Sequence, residues 1–162
     1  MKHQKLYHLV LAALFAALTY VATNIIRVPI PATDGYINLG DCVVLLGAFL
    51  LGPVYGAAAG GIGSALADII SGYAVFAPGT FVIKALIAVI AALIMKALGS
   101  KTKAAPIVAS IAGEAWMLLG YFLYESIFLG YGLAAAGSIG GNAIQAVAGV
   151  ILTFAGVAVL IK

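Results

Sequence analysis

Apolar residues run along this chain in long blocks, and polar ones fall at the block ends instead of alternating with them. Blocks of about 20 residues match the hydrocarbon thickness of a bilayer at the helical rise. The pattern predicts spanning helices over 6–26, 39–51, 54–71, 80–98, 106–128 and 139–161, the second being the shortest. Pro29, Pro31, Asp34 and Gly35 make 28–38 a loop, because a proline steers the residue before it away from helix. Gly52-Pro53 reads as a turn, and 72–79, with Tyr73, Phe76 and Pro78, as a loop. Residues 99–103 read as a polar turn and 129–138 as a Gly- and Ala-rich loop. The expected fold is an all-α membrane protein, one integral membrane domain over 1–162 with six transmembrane helices. Lys2 and Lys5 before an apolar run would suit a cleaved signal peptide, but every later block is equally apolar, so the first is read as the first span.

Composition agrees. A chain of 162 residues that is 65% hydrophobic and 8% charged, with a mean hydropathy of +1.21, is not an ordinary soluble domain. The net charge of +3 comes from scattered basic residues at helix ends, which excludes a nucleic-acid surface. With six spans, Lys2, Lys5, Lys96, Lys101, Lys103 and Lys162 share one side, against Arg27 and Lys84 towards the other. That bias predicts both termini in the cytoplasm.

Depth then separates the polar residues. Asn24, Asn38, Asp41, Asp68, Lys84, Tyr121, Glu125, Asn142 and Gln145 fall within about two helical turns of the expected outer ends. Apart from Glu114, the inner halves carry hardly any strongly polar group. A pore or proton relay needs polar groups throughout the membrane. A set that stops part-way predicts a pocket open to the outside, roofed by loops.

Each of these residues also has a plainer explanation. Asp68 and Lys84 are either site residues or a buried ion pair joining spans three and four. Asp41 either faces the pocket or caps span two. Glu125 is either a ligand contact or a solvated end residue, and Glu114 makes either a structural hydrogen bond or a ligand contact. Asn142 and Gln145 are either pocket groups or interhelical bonds. Tyr73, Phe76, Tyr121 and Tyr124 serve either the pocket or the membrane interface. Trp116 reads as packing and Cys42 as a small buried residue. The small residues at every fourth position, Gly52, Gly56, Gly60 and Ser64, give a smooth stripe for close backbone approach that ends on Asp68 and Gly72. Ala12/Ala16 and Ala13/Ala17 make a second smooth surface, for docking on another protein or for internal packing.

Chemistry of other kinds is missing. There is no H-E-x-x-H, no G-x-S-x-G and no Cys/His constellation, and His3 and His8 lack partners at metal-ligand spacing. Gly99-Ser100-Lys101-Thr102 imitates the end of a phosphate-binding loop, but Ser100 and Met95 stand where glycines are required. No catalytic residue, cofactor or metal is expected.

The motifs Ala12–Leu18 (AALFAAL), Tyr36–Asp41 (YINLGD), Leu51–Gly56 (LGPVYG), Gly63–Asp68 (GSALAD), Gly72-Tyr73, Pro78-Gly79-Thr80 and Lys84 resemble the substrate-binding S components of energy-coupling-factor (ECF) vitamin transporters. The resemblance is to the riboflavin-type branch, which also holds proteins assigned to hydroxymethylpyrimidine and pyridoxine. It implies six helices, cytoplasmic termini in a prokaryotic cytoplasmic membrane, and a vitamin bound near the outer surface. It also implies docking, through the Ala12/Ala16 and Ala13/Ala17 surface, on a transmembrane coupling (T) subunit with two ATPases. The loop at 28–38 would be the lid. The resemblance nominates Lys84, Tyr121, Glu125, Asn142 and Gln145, which join Asn38, Asp41, Asp68 and Tyr73 as expected substrate-binding residues. The mixture of polar and aromatic groups suits a small hydroxylated heteroaromatic ring, hydroxymethylpyrimidine or pyridoxine before riboflavin. A self-sufficient secondary transporter or channel, and an intramembrane enzyme using Asp68 and Glu114 as acid and base, are the alternatives.

Overall fold

The computed structural model describes residues 2–99 and 104–160. The first helix, α1 (Lys2–Ile25), leads into a two-stranded antiparallel ribbon, β1 (Arg27–Ile30) and β2 (Gly35–Asn38), with Arg27 opposite Asn38 and Ile30 opposite Gly35. Then come α2 (Gly40–Ile70), α3 (Ala77–Leu98), α4 (Ala105–Leu123) and α5 (Ile139–Leu160). The expected loop at 28–38 is therefore a β-hairpin. Pro29 is tolerated because a two-stranded ribbon is all edge, and an edge position needs no N–H donor. Asp34 makes the tight turn with a φ of 53°.

Five helices among the described residues are long and apolar enough to cross a membrane, where six spans were expected. The difference lies in α2. Gly52 sits inside it at φ 76°, ψ −176°, followed by Pro53, which can neither donate an N–H nor leave its predecessor helical. The chain doubles back there. A Cβ added to Gly56 would lie 2.8 Å from the Ala48 Cα, and one on Gly60 2.8 Å from a Val44 methyl. The expected spans 39–51 and 54–71 are thus two arms of one helical hairpin, and its first arm, about 18 Å long, is too short to cross a bilayer alone. The stripe of small residues does bring a backbone close, and the backbone is that of the other arm.

α3 starts earlier than the apolar block suggests, because Pro78 suits a first helical turn. It is packed on both sides by α2 and α4 through small residues, among them the fully buried Ala88, Ala91 and Ala109. In lipid, such contacts are made by close van der Waals approach, and large apolar side chains are free to face outward. Leu9, Val54, Ile70 and Ile151 do so. Beyond α4 the helix widens into one π turn, Tyr124–Phe128, in which the Leu129 amide donates to the Tyr124 carbonyl. A 3₁₀ segment, Gly132–Ser138, replaces most of the expected 129–138 loop. Gly99 closes α3; the rest of the expected polar turn, with Lys101 and Lys103, and the end of the last span with Lys162, lie outside the described residues.

Candidate functional site

The β-hairpin closes one end of the bundle, and beneath it polar side chains from every long helix converge. β2 contributes Tyr36 and Asn38, α1 contributes Thr23, and the second arm of α2 contributes Ser64 and Asp68. Thr80 and Lys84 come from α3, Tyr121 from α4, Glu125 from the π turn and Asn142 from α5. Ser64/Asp68 and Thr80/Lys84 are each four residues apart, so each pair shares one helix face. The extra residue accommodated by the π turn is a common device at functional sites, and here the buried Glu125 lies within that turn.

The strongest electrostatic feature is a buried ion pair between Lys84 Nζ and Asp41 Oδ1. The other Asp41 oxygen accepts from Gln145 Nε2 at 2.6 Å, and Gln145 Oε1 in turn accepts from the Asn38 amide at 2.7 Å. Two α2 expectations are corrected here. Lys84 pairs with Asp41, not with Asp68, because the first arm of the α2 hairpin lies between α3 and α5. Nor does Asp41 cap α2: the Gly40 amide donates to Asn38 Oδ1 at 2.8 Å, while both Asp41 oxygens are taken by Lys84 and Gln145. The Lys84 ammonium also sits 5.5 Å from the centre of the Tyr121 ring.

Asp68 is bonded to the ribbon instead. The Tyr36 hydroxyl donates to its Oδ1 at 2.5 Å. Burial, with the Asp68 charge alongside, pushes the Tyr36 hydroxyl well above its ordinary range, so it keeps its proton and remains a donor. Tyr73 packs against the outer side of Tyr36, with ring centroids 4.6 Å apart. Glu125, one alternative for which was solvation at the helix end, is buried and accepts from Ser138 Oγ at 2.5 Å.

Of the residues expected to bind substrate, Asn38, Asp68, Lys84, Tyr121, Glu125 and Asn142 line one cavity. Asp41 and Gln145 stand behind Lys84 and Asn38 as supports, and Tyr73 stands behind Tyr36. Asn24 ties α1 to α2 by accepting from Ser71 Oγ, 2.7 Å away. Glu114, although buried, is not in the cavity; it lies against Gly149, behind Asp41. Trp116 donates to the Ile83 carbonyl at 3.3 Å, as a packing residue would. Thr23, Ser64, Thr80 and Tyr36 were not among the residues expected to bind substrate, although the last three fall within the quoted motifs. The positions four residues before Asp68 and Lys84 carried the signal for Ser64 and Thr80. Nothing in the linear pattern marked Thr23, which reaches the cavity through the α1–α2 crossing.

The space left inside is about 20 Å³, room for roughly one water. The ribbon is held over this space by two bonds, Tyr36 to Asp68 and Asn38 to Gln145.

Along the preceding turns of α1, an apolar groove of about 590 Å³ runs between α1 and the second arm of α2. Ala13 and Ala17 are exposed along it and Ala16 is half-buried. Ala12 is instead buried against Leu51 and Ala59, so its part is packing between the helices.

One comparison with known proteins bears on the fold and two on lineage. A solved S component of a bacterial ECF transporter is 22% identical and superposes with a TM-score of 0.75, covering 100% of this chain and 99% of its own. An uncharacterized protein encoded in a gap 3′ region of Pyrococcus woesei is 40% identical over 132 residues, 82% of this chain and 86% of that one. The family model for the S component of the ECF-type riboflavin transporter matches residues 3–161. A match of that extent, on a helical membrane protein of this architecture, assigns the chain to the family of ECF-type riboflavin transporter S components.

Proposed function

We propose that this chain is the subunit that captures a vitamin at the outer face of a prokaryotic cytoplasmic membrane, both of its termini being cytoplasmic, and that the vitamin is riboflavin. It delivers the ligand inward when docked on a T subunit that carries two ATPases. The observation that supports this reading is the enclosed polar cavity at one end of the bundle, roofed by the β1–β2 ribbon. It is a dead end, with buried polar groups from five helices and no continuation along the bundle axis among its lining residues. That geometry suits capture and hand-over, and it weighs against a self-sufficient channel. The family is one of transporter components, and Asp68 lines the cavity while Glu114 does not, so the acid–base pair of the enzyme alternative is not assembled there.

The cavity binds by opening. No vitamin fits into about 20 Å³, so the ribbon must lift and break its bonds to Asp68 and Gln145 before a ligand enters. The ligand then takes over those polar partners, which keeps the buried groups satisfied. Phe76, Tyr36 and Tyr121 supply ring faces for a planar heteroaromatic. The family match moves riboflavin ahead of a hydroxymethylpyrimidine or pyridoxine. The smaller rings remain the second reading because the closed space is so tight.

The test is binding by the purified chain in detergent, without nucleotide or partner subunits. Riboflavin fluorescence should be quenched on titration. Saturation by pyridoxine or hydroxymethylpyrimidine but not by riboflavin would transfer the assignment to the smaller rings. Binding that appears only after ATPase subunits are added would refute the capture role.

A further inference from the structure

One buried acid has no part in the cavity. Glu114, at the centre of α4, is 2% exposed, and neither of its carboxyl oxygens has a hydrogen-bond partner among the described residues. Its seat is tight. A Cβ added to Gly149 of α5 would lie 2.5 Å from Glu114 Oε1 and 3.3 Å from the Asp41 Cβ. The carboxyl group therefore occupies the space that this glycine leaves between α4, α5 and the first arm of α2. Towards the lipid, the residues around Glu114 in the α4–α5 groove, among them Ile111, Leu118, Val147 and Val150, are all apolar, so no polar neighbour solvates it from that side. Asp41 and Cys42 face it from the first arm of α2, and Lys84 from α3. The described part of α5 carries no titratable side chain, and Tyr121, the other one on α4, lies two turns further out.

Charge counting follows from that inventory. The single cation here, Lys84, is already in direct contact with Asp41. An ionised Glu114 would make two carboxylates share one ammonium, with no donor on either Glu114 oxygen. An unpaired charge in so dry a place is far more costly than a proton on the acid. One proton on Glu114 leaves the cluster neutral. We propose that Glu114 is a proton site: it seats α4 on α5 as the neutral acid, and release of its proton sets a second carboxylate beside Asp41, in competition for Lys84. Lys84 also lines the cavity, so this proton governs the cluster that stands behind the cavity wall. The direction of the effect is fixed. A solvated glutamate releases its proton at about pH 4.3, so near neutral pH the folded chain holds one proton more than the unfolded chain. Stability contributed by Glu114 is then complete at acid pH, falls as pH rises, and levels off once the folded acid has ionised too.

The experiment follows thermal unfolding of the native protein, Glu114→Gln and Glu114→Met in one detergent, from about pH 5 to about pH 9, across the range in which a solvated glutamate is ionised. Neither variant side chain titrates. The Gln amide also lacks partners, but that penalty does not vary with pH, so the slope is read and not the height. All other titrating groups are shared and cancel in the difference. The unfolding constant of the native protein should rise relative to Glu114→Gln by up to about tenfold per pH unit. Glu114→Met, similar in length and apolar, should give the same difference in slope and serves if the amide variant does not fold. Parallel profiles would overturn the proposal, because Glu114 would then carry the same charge folded and unfolded. A native protein that gains on both variants as pH rises would overturn it too, by showing an ionised Glu114 with a partner. No ligand enters the measurement, so its outcome is separate from the capture reading.

Discussion

Lys84 and Asp41 decide what this site tolerates at the level of single residues. Both are buried, and each is the other's only counter-charge in direct contact among the described residues. Attraction within such a pair about balances the loss of hydration, so the pair adds little net stability, but removing one member strands a charge in a dry interior. Lys84→Met should therefore destabilise the protein by about 3–5 kcal/mol, and Asp41→Asn by a similar amount. The double variant should be less unstable than the sum of the two. Thermal unfolding of all four proteins in one detergent closes the cycle; simple additivity would mean that the two side chains do not interact. The sequence made both residues visible as ionisable groups in an apolar chain, but the ion pair it offered as one alternative joined Lys84 to Asp68. Sequence spacing places Asp68 and Lys84 in neighbouring spans. The partner was fixed by the α2 hairpin, which carries Asp41 back to α3, and that fold-back is a long-range fact. Asp68 was thereby left free for Tyr36, a residue whose role no spacing announced.

Helix boundaries were the legible part at the next scale up, because long apolar blocks and proline or glycine breaks are local signals. The ribbon at 27–38 was not legible, since two prolines in a short polar stretch read as loop, and only pairing with a second edge strand makes it regular. The α2 hairpin lies between these cases. Gly52-Pro53 was readable as a break, yet whether the arms splay or fold back depends on Gly56 and Gly60 lying against Ala48 and Val44. The two kinds of glycine should respond differently. At Gly52 nothing lies within 4 Å of an added Cβ, so Gly52→Ala meets only the cost of a positive-φ, extended-ψ backbone that is essentially reserved for glycine, about 1–3 kcal/mol. At Gly56 the obstacle is backbone, which cannot rotate aside. Gly56→Leu should separate the arms, misplace Asp41, and abolish ligand binding along with stability. A Gly56→Leu protein that bound ligand normally would show that the arms are not held together at this seam.

The whole molecule has two faces of opposite character, a polar cavity under the ribbon and an apolar groove along α1, and they do not share a lining residue. If the groove is the surface that meets the T subunit, the two functions are separable by mutation. Ala13 is the residue to use: it is exposed on the groove, whereas Ala12 is buried against Leu51 and Ala59 and its replacement would disturb the core. A tryptophan at position 13 fills the groove without touching the cavity, and its outward apolar ring is at home in lipid. Ala13→Trp should leave riboflavin affinity in detergent within about twofold of the native protein, since no bond to the ligand is lost. In cells that express the coupling module, uptake of labelled riboflavin should fall to background. Those two results together would separate capture from delivery. Loss of binding would instead tie the groove to the fold of the cavity, and normal uptake would place the T-subunit contact elsewhere on the bundle. The logic depends on α1 serving both faces at different heights: Thr23 reaches the cavity at one end, and the alanines line the groove along the preceding turns.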